Sequence, residues 1–215
     1  MKTKVVLAAA FALLLAHPSL VYATPPCIQG TLQSYIALGA GGCEFDNVHY
    51  SNFTYGPTAT IGISAAQIVV TPNLLPRLNL FQGLNFTAPW SVAAGQTLQS
   101  VIGYSVAPYP PPISTTPPEP GTLTLDLGTS RVSGIIGSVT VQETMSIASG
   151  TSAGTTTLEV FETCEEVCAI KQSDSVSVSS FPPFQTTIIV TLSGGTGGAS
   201  LDYFAADDAF GPQPG

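Results

Sequence analysis

Period-two alternation of apolar and polar residues recurs through this chain, and it constrains the fold more than any other feature. Its clearest instance is Thr122-Leu123-Thr124-Leu125-Asp126-Leu127, where three leucines point one way and Thr, Thr and Asp the other, as in an antiparallel strand with one buried and one wet face. Similar runs are Val48–Tyr55, Gln67–Thr71, Gln99–Ala107, Ser138–Ile147, Thr155–Thr163, Ser175–Ser179, Thr186–Leu192 and Ala199–Phe204, punctuated by Gly, Pro, Asn and Ser. No stretch reads convincingly as an amphipathic helix. Short strands separated by turn residues predict an all-β chain, an antiparallel two-sheet β-sandwich.

Ahead of the strands, Lys2 and Lys4, the apolar run Val5 to Ala16 and the small-residue site Val21-Tyr22-Ala23 have the make-up of a secretory signal peptide. Residues 1–23 are therefore expected to be cleaved, leaving a chain that starts at Thr24 and is secreted or held at the cell surface. Later apolar runs such as Ile61 to Val70 and Ile188 to Leu192 fall short of the roughly 20 residues of a membrane-spanning helix, so no stable membrane insertion is expected after cleavage. Residues 24–206 are read as a single β-sandwich domain. The stretch 107–120 holds Pro108, Pro110, Pro111, Pro112, Pro117, Pro118 and Pro120; it lacks the amide donors of a ladder and is read as a polyproline-type connection. Residues 207–215 are expected to be a flexible tail.

Cleavage leaves Arg77, Arg131 and Lys171 against thirteen acidic residues. Nucleic acid is excluded as a partner, because phosphate binding depends on Lys and Arg releasing condensed counterions. Neutral glycans or cations fit better. The cysteines, Cys27, Cys43, Cys164 and Cys168, are even in number in a chain bound for an oxidising compartment, which favours disulfides over metal ligation. Three connectivities exist for four cysteines, and the local pairing of Cys27 with Cys43 and Cys164 with Cys168 is the simplest.

Cys27 to Gly39, Gly41-Gly42-Cys43 and Asn52-Phe53-Thr54-Tyr55 resemble the opening of a group of exported bacterial proteins that usually carry a PEP-CTERM sorting signal. Gly83-Leu84-Asn85-Phe86, Trp90-Ser91, Gly95-Gln96 and Ile102-Gly103-Tyr104 look like that group's middle section; Val139 to Thr144, Ser173-Asp174-Ser175-Val176 and Ser193-Gly194-Gly195-Thr196 look like its later strands. The resemblance implies export, sorting by an exosortase system and association with exopolysaccharide or biofilm, without an assigned activity. The chain departs from the group at its end, where Phe210 to Gly215 form neither an apolar helix nor a basic cluster, and the internal Pro118-Glu119-Pro120 leads into the strand Thr122–Leu127. A released, soluble form is expected.

Candidate chemistry is sparse. His49 is the single histidine outside the signal peptide, and Gly150-Thr151-Ser152-Ala153-Gly154 matches the letters of a nucleophile elbow, but that motif needs a strand running into a helix and here joins two expected strands. Glu159, Glu162, Glu165 and Glu166, and Asp202, Asp207 and Asp208, form two acidic groups without the Asp-x-Asp-x-Asp-Gly loop of a calcium cage. Two carboxylates can hydrolyse a glycosidic bond, but the sequence does not give their separation. No metal and no cofactor is expected, and the chain is read as a non-enzyme. Trp90, Tyr35, Tyr50, Tyr55, Tyr104 and Tyr109 have the flat faces that stack on sugars; Trp90 and Tyr104 stand in strand-like runs and belong to the core, whereas Tyr109, between Pro108 and Pro110, is the candidate ligand contact. Asn52-Phe53-Thr54 and Asn85-Phe86-Thr87 match the N-glycosylation pattern and are read as coincidental in a bacterial chain. The expected role is that of a non-enzymatic cell-surface or extracellular-matrix protein, the alternative a glycan-binding module using exposed aromatics on one sheet face or the Pro-rich loop. With few Lys residues to guard its edge strands, the sandwich is expected to self-associate laterally.

Overall fold

The computed structural model describes residues 24–45, 47–57, 62–74, 82–108, 121–147, 154–178 and 183–210. Fourteen strands follow one another along the described chain: β1 (Gly30–Thr31), β2 (Cys43–Phe45), β3 (Val48–Pro57), β4 (Val69–Leu74), β5 (Gln82–Val92), β6 (Thr97–Pro108), β7 (Gly121–Leu127), β8 (Ser130–Ser133), β9 (Gly137–Ile147), β10 (Gly154–Cys164), β11 (Cys168–Lys171), β12 (Ser173–Val178), β13 (Phe184–Ser193) and β14 (Gly198–Phe210). They form two antiparallel sheets. Sheet I has the order β11-β10-β9-β13-β6-β3-β2, and sheet II the order β1-β4-β5-β14-β7-β12, with β8 beside β14. This is the expected two-sheet β-sandwich.

The alternation does what its period requires. Leu123, Leu125 and Leu127 are buried between the sheets while Thr122, Thr124 and Asp126 face outward, and β9 and β13 repeat the pattern with Val139, Val141, Ile188, Val190 and Leu192. Aromatic rings fill the space between the layers: within sheet II Trp90 and Phe86 of β5 pack on Phe204 of β14 with centroids 5.6 and 5.0 Å apart, within sheet I Tyr104 of β6 stacks on Phe53 of β3 at 5.4 Å, and Phe86 and Tyr104 join the two sheets at 6.2 Å. Each such fully buried ring contributes roughly 1.5–3 kcal/mol.

Four readings of the sequence are corrected. The stretch after Cys27 holds a helix, α1 (Leu32–Leu38), instead of strands only: Thr31 accepts from the Ser34 amide at 3.2 Å at its start, Leu32 and Tyr35 face the core, and Gly39 ends it at φ 56° with its N–H on Ile36 O. Strand β5 went unrecognised because Pro89 lacks the amide donor of a ladder, although Leu84, Phe86, Ala88, Trp90 and Val92 keep the period-two pattern. In the structure Pro89 lies beyond the end of β4, where Val69 pairs with Thr87, and beside a register shift in β14, so it removes no ladder bond there. Short strands at 130–133 and 168–171 carry no clear alternation and were also missed. Finally, 207–210 are not tail: Asp207 pairs with Gly83 and Thr124, and the ladder to β7 continues to Phe210 opposite Gly121. Residues 1–23, 109–120 and 211–215 lie outside the described residues.

Cys27 bonds Cys43, and Cys164 bonds Cys168 across its own hairpin, the local pairing and one suited to an oxidising compartment. No helix among the described residues is long and apolar enough to cross a membrane. The sheet edges are blunted. Pro72 sits on β4, the segment at Pro25 and Cys27 covers β2, and Asp174 of β12 accepts from Lys171 at 2.9 Å and from the Glu159 amide of β10 at 3.0 Å. An inward-pointing charge of this kind protects an edge strand; Lys171, then the Glu159 amide, hold the Asp174 carboxyl below its usual range.

Candidate functional site

The outer face of sheet II is centred on β14, whose register shift after Leu201 puts Tyr203, Ala205 and Asp207 on the side away from the core. Three rows of side chains cross it. Thr87, Tyr203 and Gly128 form one; Thr71, Asn85, Ala205, Asp126 and Ser173 the next; Asn73, Gly83, Asp207, Thr124 and Ser175 the third. Rows two residues apart on a strand are separated by about 6.8 Å, so Tyr203 and Asp207 stand about 13 Å apart along β14.

Two glycines shape this surface. A methyl group on Gly128 would lie 2.6 and 2.7 Å from the ring carbons Cδ2 and Cδ1 of Tyr203, and one on Gly83 would lie 2.5 Å from Asp207 Oδ1 and 2.2 Å from Ala206 O. Side chains at both ends of the β14 row therefore lean over a neighbouring strand where a Cβ would otherwise stand. Between them stands Ala205, itself buried, flanked by Asn85 on β5 and Asp126 on β7. Tyr203 is 40% exposed at one end, while Asp207 is 2% exposed at the other.

The electrostatics are those of unmet acceptors. Asp207 accepts one long bond, from Asn73 Nδ2 at 3.4 Å. Burial, and then the charge of Asp126, push its carboxyl up to about 6, against the lowering effect of Asn73. Asn85 Oδ1 is buried and accepts no hydrogen bond. Carboxylate and carboxamide oxygens beside an exposed aromatic ring suit a ligand rich in O–H or N–H donors.

The residues singled out from the sequence fare differently. Trp90, Tyr104, Tyr35 and Tyr50 are buried in the core, so the last two offer no stacking face. Tyr35 donates to Ile28 O at 2.8 Å, and burial pushes its phenol up to about 12. Tyr55 is half-buried and donates to Ile63 O at 2.6 Å. Tyr109 lies outside the described residues, as do residues 150–153 of the elbow-like motif. Its Gly154 opens β10, antiparallel to β9, and three strands of sheet I separate β10 from the β3 that carries His49, about 19 Å at 4.8 Å per strand. His49 Nε2 instead lies 3.0 Å from Gly41 O.

Neither acidic group converges. Glu162 accepts from Ser130 Oγ and the Val132 amide and so fastens β8 to sheet I; Glu165 and Glu166 are exposed in the disulfide turn. Asp202 is exposed at the bulge, five residues along β14 from Asp207. Among the described residues no three His, Cys, Asp or Glu side chains gather to hold a metal. Tyr203 was missed because alternation from Ala199 and Leu201 points it into the core and only the bulge at 202 turns it outward, and Asn85 because its strand was missed.

Fold and site together define an antiparallel β-sandwich with an exposed tyrosine near carboxylate and carboxamide groups on one sheet face. Comparison with solved structures finds β-sandwich carbohydrate-binding modules. One is TmCBM61 in complex with β-1,4-galactotriose, 9% identical over 71% of this chain and 86% of that one, with a TM-score of 0.32. Another comes from a study of promiscuous specificity in carbohydrate-binding modules of the β-sandwich superfamily, 13% identical over 87% of this chain and 62% of that one, with a TM-score of 0.27. At these TM-scores the likeness carries no residue or ligand across. No protein-family model and no curated protein sequence matches the chain.

Proposed function

We propose that the protein is a secreted, non-catalytic glycan-binding β-sandwich that takes its ligand on the outer face of sheet II around Tyr203, at the cell surface or in an exopolysaccharide matrix. The observation that carries this reading is the arrangement of Tyr203, Ala205, Asn85, Asp126 and Asp207 on one sheet face. The exposed ring supplies a platform for the C–H face of a pyranose, and the part-exposed Asp126, one row along the sheet, accepts from its hydroxyls. The exported, matrix-associated setting implied by the resemblance to the PEP-CTERM group accords with such a ligand.

Titration calorimetry of the chain from Thr24 onward against soluble oligosaccharides tests the proposal. Binding is expected to weaken ten- to a hundredfold in Tyr203→Ala, about 1.4 kcal/mol per factor of ten, with the melting temperature unchanged because the ring packs on one side only. Binding that survives Tyr203→Ala and Asp126→Asn together places the site elsewhere.

A further inference from the structure

We infer that β11 is a redox-releasable cover on the edge of sheet I: a dithiol that opens Cys164–Cys168 frees this strand, and the bared edge of β10 then pairs with β10 of a second copy. Residues 168–178 run as one strap along a side of the sandwich, from the ladder of β11 on β10 at the edge of sheet I to the ladder of β12 on β7 at the edge of sheet II. The two halves of the strap are held differently. In β12, Val176 and Val178 pack against the core, whereas no residue of β11 is buried and Ile170 is largely exposed. Strand β11 therefore keeps its place through four ladder pairs, from Phe161–Lys171 to Cys164–Cys168, and through the disulfide that closes them. A segment that buries so little opens locally at small cost once its covalent tie is gone.

The two disulfides differ in access. Both cysteines of Cys27–Cys43 are buried, at 7% and 1% exposure, while Cys168 is exposed and only its partner Cys164 is shielded. Exchange requires a thiolate to reach a sulfur, so attack falls on Cys168 Sγ. One thiolate of the dithiol bonds to that sulfur, the Sγ–Sγ bond breaks, and Cys164 leaves as a thiolate that takes up a proton. The second thiolate of the reagent then displaces Cys168, which is protonated in turn. The products are two cysteine thiols and a disulfide in the reagent, a transfer of two electrons and two protons. Release also carries off Lys171, whose ammonium holds Asp174 at 2.9 Å, and Asp174 is the acceptor that occupies the Glu159 amide of β10. That amide points to the edge, and amide direction alternates along a strand, so the amides of Thr157, Phe161 and Thr163 point there too. An unpaired row of this kind is a template for another strand, and two copies of β10 meet antiparallel about a two-fold axis. The excess negative charge of the chain opposes their approach, so pairing depends on salt.

For the test, the chain from Thr24 onward is treated with dithiothreitol under native conditions, quenched with iodoacetamide at intervals and peptide-mapped. Cys164 and Cys168 are expected to be alkylated at least about tenfold faster than Cys27 and Cys43; equal rates, or the reverse order, overturn the inference. In the opened, alkylated chain at low salt, hydrogen exchange of the Phe161 and Thr163 amides is expected to rise at least about tenfold while that of Val141 and Val190 is unchanged. Unchanged exchange at Phe161 and Thr163 means that β11 is held without its disulfide, and the inference fails. Light scattering of the same alkylated sample, in which no intermolecular disulfide can form, is expected to show monomer at low salt and dimer at high salt, with protection returning to Phe161 and Thr163 as the dimer forms. A Cys164→Ser/Cys168→Ser variant is expected to dimerise at high salt without reductant and to be indifferent to it. If the opened chain and this variant are no more dimeric than the oxidised chain, the pairing is overturned; a dimer that leaves Phe161 and Thr163 unprotected is joined elsewhere and overturns it as well.

Discussion

The two outer faces of the sandwich obey the same period-two rule and end in opposite states. On sheet I the outward residues satisfy one another. Thr157, Thr144, Thr187, Gly103 and Thr54 form a row across five strands, Thr144 and Thr157 share a hydroxyl contact of 3.3 Å, Gln99 donates to Thr191 at 3.3 Å, and Asn52 donates to Ser105 at 3.3 Å. On sheet II the corresponding rows hold a carboxylate with one long bond, a second carboxylate beside it and a carboxamide oxygen with none. Hydroxyls both donate and accept, so a threonine face closes on itself. Sheet II carries hydroxyls too, on Thr71, Thr87, Thr124, Ser173 and Ser175, yet leaves Asn85 Oδ1 without a donor. The difference between the two faces thus lies in which polar groups find partners, with the backbone unchanged.

Substitution of one glycine on each face sharpens the contrast most. Gly83→Ala drives a methyl into Ala206 O and the Asp207 Cα, at 2.2 and 2.5 Å, whereas Gly103→Ala meets the Thr54 hydroxyl at 2.6 Å, a side chain able to turn away. Thermal unfolding is expected to show a loss of about 2–4 kcal/mol for Gly83→Ala and under about 1 kcal/mol for Gly103→Ala. Equal losses would mean that Gly83 has no special part in laying Asp207 across β5.

Next in size is the acid dependence of stability. The folded-state value of about 6 for Asp207 lies above its ordinary 3.8, so between those values the folded chain holds more proton than the unfolded one. Stability therefore rises as the pH falls from 7 toward 4, by on the order of 2 kcal/mol from this group. Asp207→Asn should remove that contribution to the slope and stabilise the protein at pH 7 by about 1–2 kcal/mol, while Thr144→Val on sheet I leaves the slope intact. Denaturant titrations at pH 4, 5, 6 and 7 measure it, and an unchanged slope in Asp207→Asn contradicts the assignment.

The smallest effect concerns the margins of the two sheets. Lateral association by strand addition, which the scarcity of Lys predicts, is expected to be weak in the native chain, to grow with ionic strength as the excess negative charge is screened, and to increase several-fold in Asp174→Ser, which unplugs β12. Light scattering over a salt series reports it. A mass that is monomeric for both chains at every salt level removes self-association from the protein's repertoire.

The sandwich was legible because alternation is a direct image of burial in a half-wet sheet, and the disulfides because their spacing is local. Helix α1 was hidden by its single pair of turns, too short for a period to emerge, and β5 by Pro89, whose cost depends on a neighbour strand that the sequence does not reveal. The candidate site was illegible for a related reason. Tyr203 faces outward through a bulge, Gly83 and Gly128 read as punctuation, and Ala205, Asn85 and Asp126 become neighbours only when three strands far apart in sequence lie side by side.

Strand β14 follows every other described strand in sequence and yet is inserted between β5 and β7 in the middle of sheet II. A chain that folds as it is made, amino end first, can pair β6 with β3 and β9 with β10 early, but sheet II stays split, with two open edges, until β14 arrives. Folding is thereby tied to long-range contacts and is expected to be slow. Because Tyr203 is carried by β14, the proposed binding face and completion of the fold coincide: a molecule that has not closed its second sheet lacks the strand on which that face is centred.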